Sequence, residues 1–248
     1  MSFRITVLGS SGIYATADRA CSGYLVEFGD TRLWVDAGSG TWQNLMKHTD
    51  YESLTGVFLS HRHPDHVTDV FQAHHARFWG DPGRLPPIPL WAPTEVVERI
   101  YSFYSDSAEA FDLHEVDANS AIEIEDARLT FTKMAHPPDT FGVRLERDGA
   151  VFAYSADTGE AADFHRLAHD ADYFLCEATL QDSDPLWEGH LRAAQAGGLA
   201  AKVGAQRLVL THLPPGRNSE RSLSEAQATS GDVEVAIAYD GMAIEIGA

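Results

Sequence analysis

The 248-residue chain has little positive charge: 18 Lys and Arg stand against 37 Asp and Glu, a formal charge of −19 at pH 7. A field of that sign repels nucleic acid, anionic membranes and other polyanions. Any phosphate chemistry therefore needs a locally positive site. Cysteine is scarce as well. Cys21 and Cys176 form neither a CxxC pair nor a disulfide framework, and both lie in apolar, strand-like runs that suit buried free thiols. No apolar run approaches the ~20 residues of a membrane span. The chain enters a strand pattern at once, FRITVLG (3–9), without the charged and apolar regions of an export signal. A cytoplasmic location is the expectation.

What is present suits a globular protein. Hydrophobic residues make up 44% of the chain, and its length allows a generous core, read as a single domain over residues 1–248. Short β-rich runs bounded by glycine turns fill the first half: FRITVLG (3–9), GYLVEFG (23–29), TRLWVDAG (31–38) and TGVFLS (55–60). Helical spacing follows over 67–79, then a Pro/Gly-rich loop (80–93) and a helix over 94–104 with Thr94 as its cap. Strands return at 121–134, 140–157 (turning at Arg147-Asp148-Gly149) and 171–179. An alanine-rich helix is expected over 189–205, a buried strand at 206–212, and a last helix and hairpin in the tail. Strands followed by helices thus occur twice. That layout predicts an α+β protein of two β-rich halves, face to face, with helices outside.

Histidines and aspartates recur where strands end. LSHRHPDH (59–66) carries His61, His63, Asp65 and His66, while His136, Asp157 and His212 each follow another strand. Strand ends converge on one rim of a sheet, where loops can aim side chains inward without breaking the core. In a strand-to-helix turn His61 and His63 can face one ion, and Asp65 and His66 a second. Pro64 limits the backbone between the pairs, and an aspartate suits a helix N-terminus. Imidazole and carboxylate ligands fit Zn²⁺, with Mn²⁺ and Fe²⁺ also accommodated. His74 and His75, within a helix, and His165 and His169, in an acidic stretch, are left out of the set.

HxHxDH with a distant His, Asp and His resembles the metallo-β-lactamase superfamily. VDAG (35–38), LSHRHPDH, His136, SADTG (155–159) and LTH (210–212) carry the match along essentially the whole chain. The opening VLGSSG, CEATL (176–180) and GHLRAAQAGGLA (189–200) resemble the ribonuclease Z branch and its phosphodiesterase relatives. The resemblance implies a four-layer αββα sandwich holding two zinc ions. His61, His63 and His136 would hold one, Asp65, His66 and His212 the other, with Asp157 bridging. Asp36 would be a buried carboxylate beside the cluster or simply a strand-ending turn residue. The Gly9-Ser10-Ser11-Gly12 loop lacks a P-loop lysine; its place in the family suggests the mouth of the site.

That resemblance implies hydrolysis of a phosphodiester by a hydroxide held between two ions. Five neutral histidines, two aspartates and two divalent ions leave a formal charge of about +2, the local positive site the composition demands. Asp65 would orient the hydroxide and accept its proton. His190, paired with Glu177, would protonate the leaving alkoxide; without the family match it reads as an exposed histidine at a helix start. Ribonuclease Z proper carries a long tRNA-gripping arm between the third ligand histidine and the bridging aspartate. Here 20 residues separate His136 from Asp157, all used by two strands and a turn. A small or cyclic phosphodiester is the expected substrate, and no large nucleic acid or membrane the expected partner. Alternatives are tRNA 3′ processing, lactone or thioester hydrolysis, and a non-catalytic binding module. Dimers are common among such relatives.

Overall fold

Residues 2–81 and 83–247 are described by the computed structural model; Met1, Pro82 (inside the expected 80–93 loop) and Ala248 lie outside the described residues. The first sheet holds β1 (Phe3–Gly9), β2 (Gly23–Phe28), β3 (Thr31–Ala37), β4 (Gly56–Phe58), β5 (Ile88–Ala92) and β6 (Phe111–Glu115). The second holds β7 (Ala121–Ile124), β8 (Ala127–Lys133), β9 (Phe141–Arg147), β10 (Ala150–Tyr154), β11 (Tyr173–Glu177), β12 (Arg207–Thr211) and β13 (Glu234–Ile237). The last strand, β14 (Ala243–Ile246), returns to the first sheet beside β1. The first sheet, in the order β14-β1-β2-β3-β4-β5-β6, is antiparallel from β14 to β3 and parallel from β3 to β6; the second, in the order β13-β12-β11-β10-β9-β8-β7, is parallel from β13 to β10 and antiparallel from β10 to β7.

Strand alternation builds the layers, because successive side chains point to opposite faces. From β1 and β2, Phe3, Ile5, Val7, Tyr24 and Val26 meet Phe131, Val143, Phe152 and Tyr154 of the second sheet in a shared core. Leu8, Leu25 and Trp34 point the other way, onto α1 (Thr41–Leu45), α3 (Val70–Trp79) and α4 (Thr94–Phe103). Val151, Phe174, Cys176 and Leu210 likewise pack under α5 (Phe164–Ala168), α6 (Ala193–Val203) and α7 (Ser219–Gln227). The order is helix, sheet, sheet, helix, as the sequence predicts. Phe131 sits fully buried, 5.0 Å from the Phe58 ring across the sheet interface. Phe131→Ala is expected to cost about 3–5 kcal/mol of stability, read by denaturant unfolding.

Four expectations change. The tail is not a hairpin: β13 extends the second sheet parallel to β12, and β14 pairs antiparallel with β1. The crossing between them is pinned by Gly241 N–H donating to the Val7 carbonyl at 2.7 Å. Each sheet thereby gains cover for an otherwise open edge. The 80–93 loop contains β5, whose prolines had masked it. Thr94 does not cap α4; Pro93 takes that position, and the Thr94 hydroxyl donates to Glu115 instead. The 189–205 helix begins only at Ala193, so His190 lies in the approach to it. Cys21 and Cys176 are buried and unbridged, and burial foremost pushes the Cys21 thiol up to about 12. No helix among the described residues is long and apolar enough to cross a membrane.

Candidate metal centre

The ends of β3, β4, β8, β10, β11 and β12 open on one rim, and Asp36, His61, His136, Asp157, Glu177 and His212 lie at or just beyond them. Asp36, Ala156 and His212 adopt left-handed backbone, with φ of 56°, 51° and 58°. For residues other than glycine this costs on the order of 1–2 kcal/mol each, and such strain concentrates where a site dictates the geometry. His63 precedes the short helix α2 (Pro64–Val67), whose first residue is Pro64 and whose first turn holds Asp65.

Seven side chains converge. His61, His63, His136 and Asp157 present nitrogens and an oxygen within 4.8 Å of one another, as do Asp65, His66 and His212. Asp157 faces both groups. Its Oδ2 lies 3.6 Å from His61 Nε2 and 3.8 Å from His136 Nε2, and its Oδ1 lies 3.3 Å from His66 Nε2 and 3.4 Å from His212 Nε2. Buried polar atoms are normally hydrogen-bonded. Here His61 Nε2, His66 Nε2 and Asp157 Oδ1 are buried without a hydrogen-bond partner, near each other but out of bonding alignment. Three orphaned atoms within a gathering of five imidazoles and two carboxylates fit divalent cations.

The far side of each ring is held. His66 Nδ1 donates to Asp36 Oδ2 at 2.7 Å, and His61 Nδ1 lies 3.1 Å from the Ser60 hydroxyl, which itself donates to Asp36. Tyr154 and the Ser60 amide complete the bonds to Asp36. Asp36 is thus both a strand-ending turn residue and the buried carboxylate beside the cluster. His136 Nδ1 donates to the Gly189 carbonyl, and His212 Nδ1 meets the Thr179 hydroxyl at 2.8 Å. These outer bonds fix which nitrogen faces inward. Ser60 and Thr179 sit inside motifs already recognised by their neighbours. Tyr154 left no signal, because its partner lies 118 residues away in sequence.

Charge follows the packing. Burial foremost lowers the pKa values of His61, His63 and His136, favouring the neutral ring that can take a cation. Burial also lowers His66, but the Asp157 and Asp36 carboxylates outweigh it and raise the value well above normal. For Asp65, burial raises the carboxyl, yet the hydrogen bond and charge of His212, with that of His66, hold it below its usual range.

Beside the cluster His190 Nδ1 lies 2.6 Å from Glu177 Oε1, and Glu177 is fully buried. Glu177 also accepts the Thr158 and Thr179 amides, so its carboxylate cannot swing. Burial lowers the His190 pKa, but Glu177 outweighs it and the net shift is upward. The Gly9-Ser10-Ser11-Gly12 loop does reach the site: Ile13 N–H donates to Asp65 Oδ2 at 2.7 Å, and a Cβ on Gly12 would lie 2.8 Å from the His212 ring. His74 stays apart, its Nε2 3.1 Å from the Asp106 carbonyl, and exposed His165 and His169 stack on each other.

Gly159 fixes the loop that carries His190. A Cβ there would collide with the Glu188 carbonyl oxygen. Gly159→Ala is expected to push that loop off the rim and lower kcat by about 100-fold, the scale of a ~1 Å misplacement. Metal affinity measured alongside should fall by about 10- to 100-fold, because the displaced loop carries the Gly189 carbonyl that holds His136.

Facing mixed sheets with a His/Asp cluster at their common rim define the metallo-β-lactamase architecture, and the beta-lactamase superfamily domain model matches residues 31–213. The chain belongs to that superfamily. An uncharacterized protein of Mycobacterium tuberculosis is 35% identical over 238 residues, covering 92% of this chain and 87% of that protein. The probable metallo-hydrolase YhfI of Bacillus subtilis is 28% identical over 239 residues, or 94% of this chain and 96% of that one. A crystal structure of YhfI matches with a TM-score of 0.91 at 27% identity, over 99% of this chain and 100% of that chain. The ribonuclease Z of Myxococcus xanthus is 25% identical, with 98% and 97% covered. That alignment runs over 303 positions against 248 residues here, so ribonuclease Z carries segments without a counterpart in this chain.

Proposed function

We propose that this protein is a metal-dependent phosphodiesterase acting on small or cyclic phosphodiesters, cyclic nucleotides and cyclic phosphates foremost. The His190–Glu177 pair carries the reading. Diester hydrolysis expels an alkoxide that must take a proton, and His190 is positioned to give it, with its ring 5.0 Å from that of His136 and 5.5 Å from that of His212. Glu177 keeps the imidazolium charged and oriented. Thioester hydrolysis, which expels a thiolate that departs without a proton, leaves the pair without a task.

His61, His63 and His136 would hold one divalent ion and Asp65, His66 and His212 the other, with Asp157 reaching both. Zinc suits this donor set, with manganese or iron as alternatives. When bound, the ions supply positive charge against the developing oxyanion and make water more acidic. Asp65 orients the attacking water and takes its proton, with its Oδ2 steadied by the Ile13 amide. The β9–β10 hairpin occupies the stretch between His136 and Asp157, which leaves no length for a tRNA-gripping arm. The charge of −19 also disfavours a large RNA. We read the enzyme as a single-domain cytoplasmic one.

The test is a side-by-side assay of metal-loaded protein on bis-p-nitrophenyl phosphate, 3′,5′- and 2′,3′-cyclic nucleotides, and precursor tRNA. Turnover of the small diesters is expected. Precursor tRNA cleaved far faster than any of them would overturn the substrate assignment in favour of tRNA 3′ processing.

A further inference from the structure

Next to His190 the surface opens into a cleft of about 340 Å³ lined by Glu160, Ala161, Leu186, Trp187, Glu188 and Gln195. Its most unusual feature is Trp187. This indole lies 4.6 Å from the His190 ring and 5.9 Å from that of His136, yet it is 46% exposed, with Leu186 beside it at 62%. A large apolar surface left open at the edge of a charged centre points to a ligand that covers it. The loop beneath is rigidly held. His136 binds the Gly189 carbonyl, His190 N–H donates to the Trp187 carbonyl, and the Glu188 carbonyl rests on Gly159. Trp187 is therefore a fixed platform.

Beyond His190, which closes its inner end, the charged lining of the cleft has one sign. Glu160 and Glu188 line it, Gln195 Nε2 donates to Glu160 at 2.8 Å, and no lysine or arginine is among the lining residues described. Carboxylates accept hydrogen bonds from hydroxyl and amino groups and repel a phosphate. An indole face takes a flat aromatic ring.

We propose that this cleft receives the uncharged nucleoside portion of the substrate on the leaving-group side, with the base against Trp187 and its hydroxyl or amino donors on Glu160 and Glu188. This deepens the phosphodiesterase reading and rests on it for the side assignment: His190 protonates the leaving oxygen, so what borders His190 borders the leaving group. A corollary is that a second phosphate on that side is excluded by charge.

Adenosine, which cannot be hydrolysed, separates the cleft from the reaction. Titrated calorimetrically into metal-loaded protein it should bind, and Trp187→Ala should weaken it roughly 5- to 150-fold, the range of loss of one base–aromatic stack. Trp187→Phe should retain most of the affinity. In hydrolysis, a dinucleoside monophosphate should be preferred over the same compound bearing a further phosphate on its leaving nucleoside, and the Glu160→Gln/Glu188→Gln variant should narrow that gap. Absent adenosine binding, binding indifferent to Trp187→Ala, or a preference unmoved by the double variant would each overturn the proposal. Trp187-dependent adenosine binding without hydrolysis of any diester would uphold the nucleoside cleft and sink the phosphodiesterase reading instead.

Discussion

His190→Ala should lower kcat on cyclic nucleotides and dialkyl phosphodiesters by about 10²–10⁴-fold, the usual worth of a positioned general acid. Metal content should not change: although His190 also converges with Asp157 and His212, its Nδ1 is committed to Glu177, and the seven other side chains supply the proposed ligands. The loss should shrink on bis-p-nitrophenyl phosphate, whose leaving group departs without a proton. That contrast between substrates is the measurement, and equal losses on both would remove His190 from the role of acid. The pH profile offers a second reading. Burial lowers the His190 pKa, but Glu177 more than offsets it, so the ring stays protonated above the ordinary value of 6.5. Activity should therefore persist above that pH and fall as pH rises through the elevated value. In His190→Ala this alkaline limb should vanish.

Asp157→Ala should have the broadest effect, since its two oxygens face the two halves of the cluster separately. Metal affinity is expected to drop by more than the ~100-fold that losing an outer hydrogen-bond partner can cost, with activity falling in parallel. Stability supplies an independent readout. A ligand present at ~100 times its dissociation constant stabilises a fold by about 2.7 kcal/mol, worth roughly 5–10 °C of Tm in a chain of this size. Wild-type protein should lose that increment on chelation, and Asp157→Ala should show no metal-dependent increment at all. A variant that still binds two equivalents of zinc with an unchanged Tm shift would contradict the bridging role.

The sequence made some structure legible and hid the rest for identifiable reasons. Short β-rich runs bounded by glycine turns at 3–9, 23–29 and 31–38 exposed the strands, which are buried almost throughout because one face of each meets the shared core while the other meets helices. β5 was hidden by the prolines around it. The tail was misread as a hairpin because two short strands around a turn look alike whether they pair with each other or with different sheets. Local sequence does not state a strand's partner.

The chemistry divides in the same way. By itself the sequence determined the donor types, their place at strand ends and the short His136–Asp157 spacing, since each is a matter of residue identity and count along the chain. Tertiary structure decided what those residues face. It set Asp36 against His66, Thr179 against His212 and Tyr154 against Asp36, aimed both oxygens of Asp157 into the cluster, and left Trp187 open beside His190. These contacts join segments far apart in the chain. Only the closing of two sheets onto one rim brings them within bonding distance.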